Sequence, residues 1–422
     1  MKRTHIALIA ALVAAGTATV QAQDVKLNAL VEVWYTQMMD SSLRNNPAAK
    51  IPTSAYYEGL SSSRFTENGF FVKRAEVYLS GKVSDEISWN LMFDPNNSTT
   101  TVGNNVLHDA VITWAPGAGF TVKAGQFKMP TTYEATIISA KEILFFDRNQ
   151  LNRVFGDKRD RGIWASYAFG DAKGFQGKVN VAVSNGTSDD GSGGKNNDAN
   201  AQKDYTGRLE FGYGAEHKFG AYYRQGVTNL KDSTAVSAIP AAWKTAGVTD
   251  AQVWDNKDKT TLAGGYYAFD NASWHFDGEY ATGLIGRRFP TMFAAAATVP
   301  VREHLDQKFV GLAATAVYKM GSHWFLARYD MLNYNSGDNW YTAYNPYTQS
   351  AVGTNRNADY SPKFTEITVG YNYLFVPSKQ SMGKFKLDYI IRSKNFLTPR
   401  VDLGQTGEQG GNSLVASIMV AF

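Results

Sequence analysis

The 422-residue sequence contains no cysteine, which excludes a disulfide scaffold, a thiolate zinc site and a thiol nucleophile. Histidine is scarce, at six residues, and no His-Glu-x-x-His, Gly-x-Ser-x-Gly or Walker pattern occurs. A barrel enzyme therefore ranks as the least supported reading, and no cofactor is expected. No segment offers about 18 consecutive apolar residues, so no helix is built to span a bilayer; the mean hydropathy of −0.31 agrees. Charge is low as well, at 19% of residues with a formal net of +4, which gives no footprint for nucleic acid or for any broad acidic partner.

Glycine and aromatics are plentiful: 38 Gly, 24 Phe, 23 Tyr and 9 Trp. At the N-terminus, Lys2 and Arg3 precede an apolar run from Ile6 to Ala15, and small and polar residues lead to Val20-Gln21-Ala22. That layout is a secretory signal peptide with cleavage expected after Ala22. The expected mature chain is 23–422, exported to the bacterial outer membrane.

The chain then runs with a period of two. Val25, Leu27, Ala29, Val31, Val33 and Tyr35 alternate with Lys26, Asn28, Leu30, Glu32, Trp34 and Thr36. The end repeats this, with Leu414, Ala416, Ile418, Val420 and Phe422 on one face. Such alternation defines strands with two unlike faces. Connections alternate in length too. Short turns at Val83–Glu86, Pro116–Gly119, Gly170–Gly174, Gly214–His217, Asp270–Ser273, Met320–His323 and Val376–Gly383 separate long polar loops at 39–69, 95–105, 128–161, 186–203, 227–258, 284–307, 334–362 and 394–411. The expectation is an all-β transmembrane antiparallel barrel of about 16 strands, with short periplasmic turns and long extracellular loops. A closed sheet is what lipid demands, because it leaves no backbone edge unpaired. A soluble β-sandwich would need apolar inward faces; here the second face carries Arg, Lys, Asp and Glu, which a dry core could not hold unpaired.

By parity, Arg74, Lys123, Lys178, Arg208, Arg328 and Lys386 face inward with Glu32, Glu76, Glu279, Glu366 and Asp388, a wall of mixed sign. Same-strand neighbours such as Arg74/Glu76 and Arg328/Asp330 are placed to neutralise each other. Segment 128–161 carries Ile137, Ile138, Ile143, Leu144, Phe145 and Phe146, too apolar for a loop in water. It is expected to fold back into the barrel and constrict it. Thr131 and Glu134 have capping-box spacing, which predicts a helix over about 131–142. The segment's bases Lys128, Lys141, Arg148, Arg153, Arg159 and Arg161, with Tyr133, and the wall residues Arg74, Lys123 and Arg328, are the candidate solute-contacting set.

The blocks Phe71-Val72-Lys73-Arg74-Ala75-Glu76-Val77, His108-Asp109-Ala110, Gly125-Gln126-Phe127-Lys128-Met129-Pro130, Glu142 to Phe146 and Arg159-Asp160-Arg161-Gly162 resemble the phosphate-selective porin O and P family. The resemblance covers about residues 70–185, and the Gly-Gln-Phe-Lys-x-Pro block is its most specific piece. It implies a 16-stranded, trimeric outer-membrane porin assembled through a C-terminal aromatic such as Phe422. Its implied partners are outer-membrane lipid, lipopolysaccharide and small hydrophilic solutes or anions. Phosphate-specific members would carry a dense arginine ladder, whereas this wall alternates in sign. The alternative function is a structural or adhesive barrel without an open channel.

Overall fold

The computed structural model describes residues 25–39, 68–95, 106–171, 173–186, 203–228, 258–285, 307–333, 336–337, 363–393, 396–397, 408–409 and 412–422. The expected leader, 1–22, and seven of the eight expected long loops lie wholly or mainly outside these residues. The eighth, 128–161, is described throughout.

Sixteen antiparallel strands close into one barrel. They are β1 (Lys26–Met38), β2 (Gly69–Lys82), β3 (Ile87–Phe93), β4 (Leu107–Gly117), β5 (Phe120–Lys128), β6 (Arg159–Gly170), β7 (Phe175–Ser184), β8 (Asp204–Tyr213), β9 (His217–Thr228), β10 (Asp258–Asp270), β11 (Trp274–Ile285), β12 (Gln307–Met320), β13 (His323–Asn333), β14 (Lys363–Leu374), β15 (Gly383–Arg392) and β18 (Ser413–Ala421). A separate two-stranded ribbon joins β16 (Phe396–Leu397) to β17 (Glu408–Gln409). Closure comes from β1, which pairs with β2 on one side and with β18 on the other, Leu30 opposite Ala421 and Met38 opposite Ser413.

Alternation sorts the side chains as a bilayer requires. Outward-facing Ile112, Val181, Val369 and Ile418 are 54–61% exposed, while inward-facing Glu32, Asp330, Glu366 and Asp388 are fully covered. Rings on the outer face gather near the short turns: Trp274 meets Tyr318 at 4.8 Å, and Phe325 meets Tyr371 at 5.7 Å. Trp34, Tyr266 and Trp324 instead point inward and are buried.

Two glycines allow the tight geometry of β5. Gly119, at φ +80°, closes the turn from β4, and a β-carbon there would strike the Ala168 carbonyl oxygen. Gly125, at φ +132°, opens the Gly-Gln-Phe-Lys-x-Pro block, and its β-carbon would strike the Ala110 carbonyl oxygen. Only glycine holds both the dihedral and the space. Elsewhere the pleat slips: Glu32 pairs with Arg74, but Val33 pairs with Val72. Lys73 is therefore the extra residue of a β-bulge, a feature that re-aims side chains.

Candidate functional site

Segment 129–158 leaves β5 and returns to β6 from within the barrel. The expected helix over 131–142 does not form. A single α-helical turn spans Tyr133–Thr136, a 3-10 turn spans Ala140–Glu142, and a π turn spans Asn152–Gly156. The reason is competition for backbone groups. The Tyr133 N–H, free at the start of any helix, donates to Glu279 Oε1 at 2.8 Å, but the Glu134 and Ile138 carbonyls, which a longer helix would pair internally, accept from Arg148 at 3.1 and 3.4 Å, and the Glu134 carboxylate accepts from the Asn149 N–H at 2.7 Å instead of capping Thr131. The capping box belongs to Ser139 and Glu142.

Three apolar clusters seat this segment. Tyr133, Leu151 and Val154 pack with Tyr222, Leu262, Tyr266, Phe309 and Phe364. Phe145 and Phe146 pack with Trp34, Leu326, Ile390 and Val415, and Ile143 packs with Leu30 and Met419. Those wall residues lie on β9, β10, β12–β15, β18 and β1. None lies on β3–β7. Ring contacts fix the orientation: Tyr133 stacks on Tyr266 at 4.9 Å and Phe155 on Phe309 at 3.7 Å.

Polar contacts complete the seam, mostly between wall side chains and segment backbone. Asp388 Oδ2 accepts the Phe146 N–H and Asp330 Oδ2 the Gln150 N–H, each at 2.5 Å. In the other direction Lys386 donates to the Phe145 carbonyl at 2.8 Å, Asn372 to Leu144 at 2.7 Å, and Arg208 to Thr131 at 3.1 Å. Buried N–H and C=O groups of an irregular segment need such partners.

The candidate cations divide sharply on this seam. Arg74 pairs with Glu32 and lies 3.4 Å from Asp147. Arg328 donates to the Asp147 carbonyl at 2.9 Å, lies 3.5 Å from Glu366 and 3.7 Å from Glu134, and covers the Phe145 ring at 4.6 Å. Arg153 reaches Glu366 at 3.4 Å. Arg148 holds Asp157 at 3.0 Å and the Glu134 carbonyl at 3.1 Å. Lys128 pairs with Asp157 at 2.5 Å, and Arg159 with Asp109 at 2.7 Å. Arg161 donates to Gln126 Oε1 at 3.1 Å. Lys141 is exposed. Lys123 has its ammonium 4.5 Å over the Trp164 ring.

The segment's carboxyls respond to this company. Burial pushes Asp147 up, but Lys73, Arg74 and Arg153 together hold it well below the usual aspartate range. Asp157 is likewise opposed by burial and lowered by Arg148, Lys128 and Arg159. Glu134 goes the other way, because burial outweighs its contact with Arg328.

Alternation did not reveal Lys73. It should face lipid, yet through the bulge it pairs with Asp147 at 2.8 Å and lies 4.5 Å over Trp34. The adjacent Lys73-Arg74 doublet within a strand was the available signal. Lys218, on the inward parity of Tyr222 and Arg224 in β9, was missed because that strand's start is weakly marked in the sequence.

A closed sixteen-stranded antiparallel barrel with charge inside, apolar side chains outside and a loop folded against one wall is the porin architecture. The phosphate-selective porin O and P model matches residues 57–407, and the chain belongs to that family. Its fold is similar to the outer membrane channel DcaP of Acinetobacter baumannii (TM-score 0.53, 12% identity, covering 95% of this chain and 97% of that one). It is also similar to an anion-selective porin from Comamonas acidovorans (TM-score 0.52, 11% identity, 95% and 100%) and to OmpT of Vibrio cholerae (TM-score 0.51, 10% identity, 96% and 99%). No curated protein sequence matches the chain.

Proposed function

We propose that the protein is an outer-membrane porin, a water-filled channel for passive diffusion of small hydrophilic solutes with a preference for anions. Export through the 1–22 leader, residence among outer-membrane lipid and lipopolysaccharide, and assembly as a homotrimer belong to the same reading. The observation that carries it is the one-sided seating of segment 129–158. Beyond Met129, which packs on β4–β7, the clusters that anchor the segment draw on β9, β10, β12–β15, β18 and β1, which leaves room for water along the β3–β7 side. A barrel of about 16 strands is wide enough to keep such a passage.

Segment 128–161 is then the constriction, and most of its cations hold it in place. Arg74, Lys128, Arg148, Arg153, Arg159 and Arg328 are engaged with carboxylates, and Tyr133 is locked by its N–H and its ring. Lys123 and Lys141 remain nearest to solute, whereas Arg161, two residues before outward-facing Ile163, donates to Gln126. Liposome swelling tests the reading. Vesicles carrying the protein should admit small neutral sugars at rates that fall with solute size, whereas vesicles that swell no faster than protein-free controls would contradict it.

A further inference from the structure

The two rims of the barrel's outer face differ in chemistry. At the short-turn rim the outward positions carry rings: Tyr213, Tyr267, Trp274, Tyr318 and Phe325 are all exposed. Among the described residues, no Lys, Arg, Asp or Glu takes an outward strand position there. Such rings suit any lipid–water interface. The long-loop rim carries lysines. Lys203, directly before β8, Lys259 on β10, Lys308 on β12 and Lys363 on β14 are exposed. Parity puts all four outward. Asp204, Phe309 and Phe364, the residues next to Lys203, Lys308 and Lys363, are buried inside, as is Leu262, three residues after Lys259. No Asp or Glu takes an outward strand position at this rim among the described residues.

Strand tilt decides whether these four lysines stand at one height. A single cross-strand row runs from Met38, at the long-loop end of β1, through Ser413, Thr368, Asp277 and Lys218 to Gly170, at the short-turn end of β6. From β6 to β18, rows therefore climb towards the long loops, by about one residue per strand. Lys308 shares a row with Leu284 and Thr261, two residues below Lys259. Lys363 shares a row with Asn333 and Val310, two residues below Lys308. The drop cancels the climb, so Lys259, Lys308 and Lys363 stand level. Tyr205, Gln225 and Thr261 form one row, and Lys203 and Lys259 each precede it by two residues, which places Lys203 one pleat lower. Alternate strands lie about 10 Å apart, so the ammonium groups are spaced regularly round the arc from β8 to β14. The arc from β18 through β1 to β2 has Leu414, Tyr35 and Phe70 outward at the same rim and no lysine.

We propose that Lys203, Lys259, Lys308 and Lys363 form a belt that binds the phosphate groups of lipopolysaccharide in the leaflet at the long-loop rim. The proposal rests on the porin reading above and gives its lipid partner a site. A lysine stem lies along apolar surface while its ammonium stays at headgroup level. Each cation held near an anionic membrane surface strengthens attachment to it. A belt on one rim alone fits a membrane whose two leaflets differ in charge, since like leaflets would favour the same residues at both rims. Several phosphates spread over one sugar headgroup bridge neighbouring lysines, which the single phosphate of a phospholipid does not. The arc from β18 to β2, without lysines, offers no such site.

The test is a titration of the folded full-length protein in detergent with purified lipopolysaccharide. Lys203→Gln/Lys259→Gln/Lys308→Gln/Lys363→Gln should bind it about tenfold or more weakly than the native protein, and replacing the same four lysines by Arg should keep affinity near native. Phosphatase-treated glycolipid should bind the native protein as weakly as intact glycolipid binds the Gln variant. Phosphatidylglycerol should bind less tightly than the glycolipid, and millimolar inorganic phosphate should not displace it. Native affinity in the Gln variant, undiminished binding after phosphatase treatment, equal affinity for phosphatidylglycerol, or displacement by phosphate would each overturn the assignment. Conductance separates this result from the porin reading. The Gln variant should conduct like the native protein, whereas a native protein that binds the glycolipid but gives no conductance steps would overturn the porin reading and leave the belt standing.

Discussion

Asp147 ties three elements together. It accepts from Lys73 at 2.8 Å and lies 3.4 Å from Arg74, both on β2, while its own carbonyl takes Arg328 from β13. Replacing one partner of a buried ion network strands the others, at a cost of about 3 kcal/mol or more. Asp147→Asn should lower barrel stability by that order in a denaturant titration of the folded protein in lipid. A cost near zero would show that Lys73 and Arg74 find other partners. The pH response follows from the same groups. Asp147 and Asp157 lie below their ordinary values, so each contributes fully above the unfolded aspartate value, about 3.9. That contribution is lost only as pH falls through the lower folded value. Glu134 is raised by burial, so its ionised form costs stability at neutral pH, and protonation relieves that cost. The stability cost of Asp147→Asn should therefore be the same at pH 7 and pH 5, and a cost that disappears between them would contradict the lowered Asp147 value.

Among the strands, β5 depends most on single residues. Gly125 combines φ +132° with a neighbouring carbonyl that leaves no room for a β-carbon. Gly125→Ala should cost about 2 kcal/mol or more, visible as a smaller heat-modifiable, folded fraction on unboiled gels. A native folded fraction would mean that β4 and β5 can separate there. Strands were legible in the sequence because lipid imposes a period of two on every crossing, and β1 and β18 show it almost residue by residue. The bulge at Lys73 was not, since alternation carries no mark of an inserted residue beyond a misplaced charge. The interior of 129–158 was only half legible. Its apolar content told that it must be covered, but its turns depend on carboxylates from β11, β13 and β15, far away in sequence. Composition also made the loop arginines look available to solute, when their acidic partners come mainly from other strands and from the segment itself.

The molecule as a whole is a barrel whose inner segment packs mainly on β9, β10, β12–β15, β18 and β1, and meets β4–β7 at Met129. Removing residues 132–155 and joining the ends with a Gly-Ser linker should enlarge the passage and raise single-channel conductance while the sixteen strands still close. Unchanged conductance in a folded variant would mean that the narrowest point lies elsewhere. Planar-bilayer recording of the full-length folded protein tests the channel most directly. Discrete, long-lived conductance steps whose size scales with salt concentration are expected. A correctly folded, membrane-inserted barrel that gives no steps would contradict the channel reading.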